Sequence, residues 1–324
     1  MSEEFKEVPL KMVDPENNLP VNLYLLINDK FIHYLNSGDS VTSPKYDHFL
    51  NKNVKSVYVK DADYDMMMDW CLTVRHTFKE ELIEEAGAAS KEIIEDTLDM
   101  EQELYDVFSD QPLNIERIDK LQAYSNEFVE KVKEKDNFKK ALSALLKRNE
   151  TLAAHSSNTA NLAIFIGMIT GIGSKYALET LYMASLFHDF GKVKIPPHII
   201  ENPSDAHYES LMRAHPEGSV KIIAKSEGIP KQVLRMILEH HEQWDGAGYP
   251  NGTKGADLYE YTPILSMANE LDNFLVKNRL KPDVKKWELA IKMLENGRGS
   301  KWNPMFFPRV PDALKKAFLP EEEA

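Results

Sequence analysis

Three regimes of hydrophobic patterning succeed one another along the chain. Near the start, Val21, Leu23 and Leu25 alternate with their neighbours, Asn28-Asp29 supplies turn chemistry, and Phe31, His33 and Leu35 alternate again. Period-two alternation on both sides of a short polar turn predicts a β-hairpin. Val54 to Lys60, rich in β-branched residues and Tyr, predicts a further strand. From about Asp63 to Leu104 the period lengthens to that of a helix. Leu82, Ile83, Ile93, Ile94, Leu98 and Leu104 fit one face, while acids such as Glu80, Glu81, Glu84 and Glu85 solvate the other. A long helix with one apolar face needs a cover, either the rest of the chain or a second copy, so a homodimer through this region is one expectation. Asp110-Gln111-Pro112 and Asn114 break the pattern, and a second helical block runs from about Ile115 to Arg148.

The third regime is helical and carries histidines. A helix from Thr151 to Met168 holds His155 near its start and ends at Gly171-Ile172-Gly173. A second, with Leu178, Leu181, Tyr182 and Ser185 one turn apart, runs into His188-Asp189, where Gly191 and Pro196-Pro197 stop it. A third starts near Asp205 and carries His215, with Pro216 bending it. A fourth follows Pro230 and delivers His240-His241, after which comes the glycine-rich turn Asp245 to Gly252. A last one, Pro263 to Phe274, carries Asn269, Glu270 and Asp272. No βαβ rhythm appears, so the fold class is mainly α: an all-α C-terminal bundle preceded by a small α+β N-terminal module and a helical connector. The expected division is 1–65 for an input or docking module, 66–137 for the connector, and 138–324 for the bundle.

Bulk properties narrow the function. At 324 residues the chain suffices for two cores, and 43% hydrophobic with 28% charged residues is ordinary for a globular protein. The apolar runs fall short of a membrane span, and no signal segment opens the chain, so no membrane partner is expected. Cys71 is the only cysteine, which excludes an internal disulfide and suits a reducing compartment, the cytoplasm. The net charge of -13 argues against a nucleic-acid polymer as partner. A small anionic ligand remains compatible, because bound cations and local lysines reverse the sign inside one pocket.

One histidine on an amphipathic helix is usually a packed or surface residue. His155, His188, His215, His240 and His241 stand on successive helical segments, most of them at helix ends, with Asp189 beside His188. Imidazoles and a carboxylate on facing helices are how bundles hold Zn, Fe or Mn, and a carboxylate can bridge two ions. His33, His48, His198 and His207 are isolated and read as ordinary residues.

These residues resemble the HD-GYP family, cyclic di-GMP phosphodiesterases within the HD metal-dependent phosphohydrolases. The resemblance covers about Phe138 to Val310 and rests on four strings. They are His155-Ser156-x-x-x-Ala160-x-x-Ala163; His188-Asp189-x-Gly191-Lys192 with Ile195-Pro196; His215-Pro216-x-Gly218; and His240-His241-Glu242-x-x-Asp245-Gly246-x-Gly248-Tyr249-Pro250-x-Gly252. The last is long, ordered and specific.

The resemblance implies an HD-type bundle with two divalent metal ions, Fe or Mn. His155, His188, Asp189 and a residue of the last helix would hold one; Asp189, His215, His240 and His241 would hold the other, with Asp189 shared. Lys192 would sit beside the bridging hydroxide and the phosphate, making Lys192 and Asp189 the catalytic pair. Lys192, Lys194, Arg279 and Lys281 would meet the substrate. The turn holding Asp245, Gly246, Gly248, Tyr249 and Pro250 would shape the pocket and receive partner signalling proteins.

The chain departs from the family where that last helix carries its ligand Asp: Asn269 stands there, and Asp272 is the second, non-ligand acid. A neutral amide oxygen is a weaker donor to a divalent cation, so reduced occupancy or activity is expected. Thr151 replaces a Glu that holds a third ion in some relatives, and Glu150 lies about 100° around the helix, which favours two ions. Gln243, Asn278 and Glu201-Asn202-Pro203 each remove positive charge found in the family. The expected function is hydrolysis of cyclic di-GMP, with pGpG or GMP as the end product. The alternative is a catalytically weak receptor for cyclic di-GMP, and a third reading is a phosphohydrolase acting on another cyclic nucleotide.

Overall fold

The structure is a computed structural model that describes residues 4–52, 54–109, 115–132, 135–146, 151–200, 202–278, 281–304 and 307–320. The expected hairpin forms from β2 (Leu23–Ile27) and β3 (Lys30–Leu35). Asn28 and Asp29 both take positive φ, 50° and 60°, the conformation that a two-residue hairpin turn demands and that Asn and Asp tolerate. Two further strands, β1 (Phe5–Pro9) and β4 (Ser56–Lys60), complete an antiparallel sheet of order β1-β4-β2-β3. The pattern reading anticipated β4 and missed β1, whose five residues are too few for alternation to register. It also missed α1 (Ser43–Asn51), which lies between β3 and β4.

The acidic helical stretch is two helices, not one. α2 (Tyr64–Ala86) stops where Gly87 adopts φ 84° and returns its N–H to the Ile83 carbonyl, and α3 (Lys91–Ser109) follows. The apolar periodicity resumes past the break, which conceals it in the sequence. The second block likewise divides into α4 (Ile115–Lys131) and α5 (Lys135–Leu145). These helices find their cover within the chain. α3 packs on α4 and on α6 (Leu152–Thr170), and α4 packs on α7 (Lys175–Phe187). Phe128 of α4 stacks on Tyr182 of α7 at 4.9 Å, and the Tyr182 hydroxyl lies 3.2 Å from the Met100 sulfur of α3.

α6 is the centre of the bundle, covered by α3, α5, α7 and α11 (Thr262–Lys277). Nearly all of it is buried, the environment in which a helix loses its polar face. Its Thr151 cap accepts from the Ala154 N–H at 3.1 Å, and Gly171 closes it in the left-handed conformation. After α7 the chain makes a short 3-10 turn, Phe190–Lys194, and then α8 (Pro197–Ile200), α9 (Tyr208–Ile223) and α10 (Lys231–Glu239). α12 (Asp283–Asn296) and α13 (Arg309–Phe318), not anticipated, pack on each other, α12 against α11 and α13 against α6. One continuous apolar core links the sheet to the bundle. Among the described residues no helix is long and apolar enough to cross a membrane.

Candidate metal centre

Four of the five histidines have their ring orientation fixed from behind. His188, at the end of α7, places Nδ1 2.7 Å from the Ser185 carbonyl oxygen. His215 does the same with Met212 at 2.6 Å, and His240 with Ile237 at 2.7 Å. In each case the acceptor is the carbonyl three residues earlier. A carbonyl only accepts, so Nδ1 carries the proton and Nε2 presents a lone pair. His155 is fixed differently, its Nδ1 lying 2.7 Å from Oδ2 of Asp272. That bond turns Nε2 toward the site.

All four Nε2 atoms converge on Asp189. Its Oδ2 lies 3.3 Å from His155 and 3.4 Å from His188; its Oδ1 lies 3.1 Å from His215 and 3.8 Å from His240. Each carboxylate oxygen therefore serves a different group. Ligand atoms of Asp189, His215, His240 and His241 lie within 4.8 Å of one another, as do those of His155, His188 and Asp189. The Nε2 atoms of His215 and His240 are 3.1 Å apart. Two lone pairs at that distance repel, unless a cation accepts both. Nitrogens ligating one ion at about 2.1 Å stand about 3 Å apart. The buried Nε2 atoms of His155, His188 and His241, and Oδ1 of Asp189, also have no hydrogen-bond partner. Orphaned donor atoms of this kind, all nitrogen or carboxylate oxygen, fit a divalent cation.

The electrostatics agree. Burial pushes the pKa of His215 and His240 down, and it pushes His241 down to about 2, helped by the neighbouring His215. These rings are neutral and ligand-competent at ordinary pH. Burial disfavours the charged form of Asp189, but His188, Lys192 and the other close donors outweigh it and hold its carboxyl well below the usual range. Burial likewise opposes a charge on His155, and Asp189 and Asp272 together overcome it, raising that ring to about 9. A cation at Nε2 competes with that proton. Lys192, in the turn after Asp189, puts Nζ 2.5 Å from Oδ2 of Asp189.

The turn carrying His188 and Asp189 is seated on α9 by backbone proximity. A Cβ on Gly191 would come 2.1 Å from the His215 carbonyl oxygen, so only glycine allows the contact. Ser219 completes the clamp by accepting from the Gly191 N–H and donating to the His188 carbonyl, both at 2.7 Å. Ser266 of α11 donates to the His240 carbonyl at 2.7 Å. Neither serine was singled out in the sequence. Ser219 lies four residues after His215, one helical turn along the same face, and that spacing is the only signal that points to it.

The glycine-rich turn closes one side. Asp245 and Trp244 donate backbone N–H bonds to Ser300 and Lys301 carbonyls, and the Asp245 carboxylate accepts from the Ala247 N–H. Gly246 has φ 80°, and a Cβ on Gly248 would meet the His241 carbonyl oxygen at 2.4 Å. The Tyr249 ring, followed by Pro250, stacks on His241 at 4.6 Å, and the Arg213 guanidinium covers it at 5.0 Å. Asn269 is buried on α11 with its side-chain oxygen accepting from Asn273 at 2.7 Å. Lys194 and Lys281 are exposed, and Arg279 lies outside the described residues.

With this geometry in place, comparison with known proteins fixes the family. The HD domain family profile matches residues 116–305. The chain belongs to the HD domain family, and within it to the HD-GYP group. It is similar to a 3'3'-cGAMP-specific phosphodiesterase 2 of Vibrio cholerae, with 33% identity over 41% of this chain and 26% of the relative. It is similar to the cyclic di-GMP phosphodiesterase response regulator RpfG of Xanthomonas campestris, with 28% identity over 60% of this chain and 50% of that protein. A cyclic di-GMP phosphodiesterase of Thermotoga maritima matches at 29% over 50% and 43% respectively. The chain thus matches half or less of the length of these relatives. Among solved structures, Bd1817, an HDG"Y"P protein of Bdellovibrio bacteriovorus, shares the fold with a TM-score of 0.61 and 19% identity. That superposition covers 96% of this chain and 100% of that one.

Proposed function

We propose that the chain is a metal-dependent phosphodiesterase that hydrolyses cyclic di-GMP, with pGpG or GMP as the end product. One observation carries the reading: the two oxygens of a single buried carboxylate, Asp189, each face a separate set of histidine lone pairs. That arrangement suits two divalent ions, Fe or Mn, sharing one carboxylate. Bound there, the ions supply Lewis acidity at the phosphate and a lowered pKa for water.

The chain's own groups do the rest. Asp189 is held ionised by its neighbours, and His215, His240 and His241 are held neutral by burial, so that group is charged for a cation before one arrives. Lys192, hydrogen-bonded to Asp189, supplies fixed positive charge where a phosphodiester would approach. Tyr249 covers His241 on the side of the glycine-rich turn and limits water there. Lys194, Lys281 and Arg279 are proposed to contact the substrate. Residues 1–65 and the glycine-rich turn are proposed as surfaces for other signalling proteins, and the cytoplasm is the proposed compartment. The names of the relatives in Vibrio, Xanthomonas and Thermotoga support a cyclic dinucleotide as substrate class.

A second reading, a receptor that binds cyclic di-GMP without cleaving it, draws on Asn269. Its neutral amide oxygen is already engaged by Asn273, which weakens the group containing His155 and His188. Anaerobic incubation with Fe(II) or Mn(II) and cyclic di-GMP, followed by chromatography of the nucleotides, separates the two. The phosphodiesterase reading predicts pGpG or GMP from the intact protein and none from Asp189→Ala. Binding without product would establish the receptor, and neither binding nor product would remove cyclic di-GMP as ligand.

A further inference from the structure

We infer that β3 is the interface through which two copies of this chain pair, strand to strand, about a two-fold axis at Ile32. The starting point is an edge protected only at its far end, where the ladder with β2 shifts by one residue at Tyr34. β3 lies at one end of the order β1-β4-β2-β3, and beyond it the sheet has no neighbour among the described residues. Exposed edge strands are ordinarily blunted by Pro, inward charges or bulges that turn the edge away. β3 reads Lys-Phe-Ile-His-Tyr-Leu, with one Lys at its first position and no Pro. The hairpin is also apolar and exposed on both faces: Leu26 is 44% exposed, Ile27 49%, Phe31 38% and Ile32 46%.

The hairpin register says which groups are free to pair. With a two-residue turn at Asn28-Asp29, Ile27 and Lys30 form the closing hydrogen-bonded pair. Hydrogen-bonded and non-hydrogen-bonded pairs then alternate, which makes Leu26↔Phe31 and Tyr24↔His33 the non-bonded ones. Phe31 and His33 therefore direct their N–H and C=O groups away from β2, out of the edge. A second copy approaching antiparallel satisfies them in one register. Phe31 pairs with His33 of the second copy, His33 with Phe31 of the second copy, and Ile32 meets its own counterpart on the axis in a non-bonded pair. Exposed Ile32 covers Ile32, and the aromatic face of Phe5, Phe31 and Tyr58 becomes continuous across both sheets. The result is an eight-stranded sheet with isologous pairing.

Charge selects a second copy over other occupants. The chain carries -13 overall, yet Leu23 to Leu35 holds one Asp and one Lys, so two acidic molecules can meet here without repulsion. A lone lysine offers nothing to a phosphate backbone or an anionic bilayer. The helical face that also predicted a dimer, which holds Leu82, Ile93, Ile94 and Leu104, is buried within the chain, whereas the strand edge is not.

Sedimentation velocity of the full chain over a concentration series, with two variants, tests the inference. His33→Pro removes an outward N–H and leaves the ladder with β2 intact, because Pro is tolerated where the N–H faces outward. It should weaken self-association by about tenfold or more, since symmetry deletes the bond twice. Ile32→Cys should form a disulfide-linked dimer on mild oxidation, while Leu72→Cys, exposed on α2, should not. Should His33→Pro misfold, the Cys pair alone decides. A wild-type chain monomeric at every concentration overturns the inference and leaves the edge for a strand of another protein. A dimer that neither His33→Pro weakens nor Ile32→Cys traps overturns it as well.

Discussion

Asp272 and His155 are hydrogen-bonded at 2.7 Å although 117 residues separate them in sequence. The contact joins α11 to α6 and sets which nitrogen of His155 faces Asp189. A carboxylate behind a metal-binding imidazole orients the ring and raises its basicity. Asp272 supports His155, and Asn269, three residues earlier on α11, is the donor proposed for the same group.

Asp272→Asn should lower divalent-ion affinity at the His155, His188 and Asp189 group by about 10- to 100-fold, with the other group affected far less. Calorimetric metal titration under anaerobic conditions reads both sites. Equal loss at the two groups would mean that Asp272 acts through the fold and not through His155.

Asn269→Asp restores an anionic oxygen on α11 and leaves its acceptor role toward Asn273 intact. Tighter binding of one ion, by about tenfold or more, and faster nucleotide turnover are expected, since affinity follows the charge of the ligand set. Metal content by mass spectrometry, alongside product formation, checks this. An unchanged metal content would show that residue 269 does not ligate.

Gly191→Ala places a methyl 2.1 Å from a backbone oxygen, a clash that neither α9 nor the His188 turn can relieve without moving apart. A stability loss of about 3 kcal/mol in denaturant unfolding is expected, together with loss of metal binding. Gly173→Ala, where nothing lies within 4 Å, is the matched control and should change stability by less than about 0.5 kcal/mol. Similar effects of the two substitutions would contradict the close approach.

Cys71 is buried on α2, and burial raises its thiol pKa to about 11 from the ordinary 9. A pKa raised by folding contributes stability that is complete below pH 9 and is lost as pH rises toward 11. The loss is of order 2 kcal/mol. Cys71→Ala should flatten the alkaline arm of the stability profile in that window. The native thiol should resist alkylation at pH 8 and react once the chain is unfolded in denaturant. Fast alkylation of the native protein would show that the thiol is accessible.

The sequence determined the local half of this protein. Periodicity placed the hairpin, β4 and the helices that carry the histidines, because alternation and one-turn repeats are properties of neighbouring residues. The strings around His188-Asp189 and His240-His241 pointed to the candidate ligand set for the same reason. Local signals failed where they were short or interrupted without trace, at β1, α1, Gly87, α12 and α13. The tertiary structure decided which oxygen of Asp189 each histidine faces, that Asp272 supports His155, and that Gly191 and Ser219 seat the turn on α9. It also decided that the faces of α3 and α4 are covered while β3 is not. Such relations depend on how helices far apart in sequence approach one another. Lone pairs that converge on one carboxylate exist only after packing, and they leave no mark on the spacing of residues along the chain.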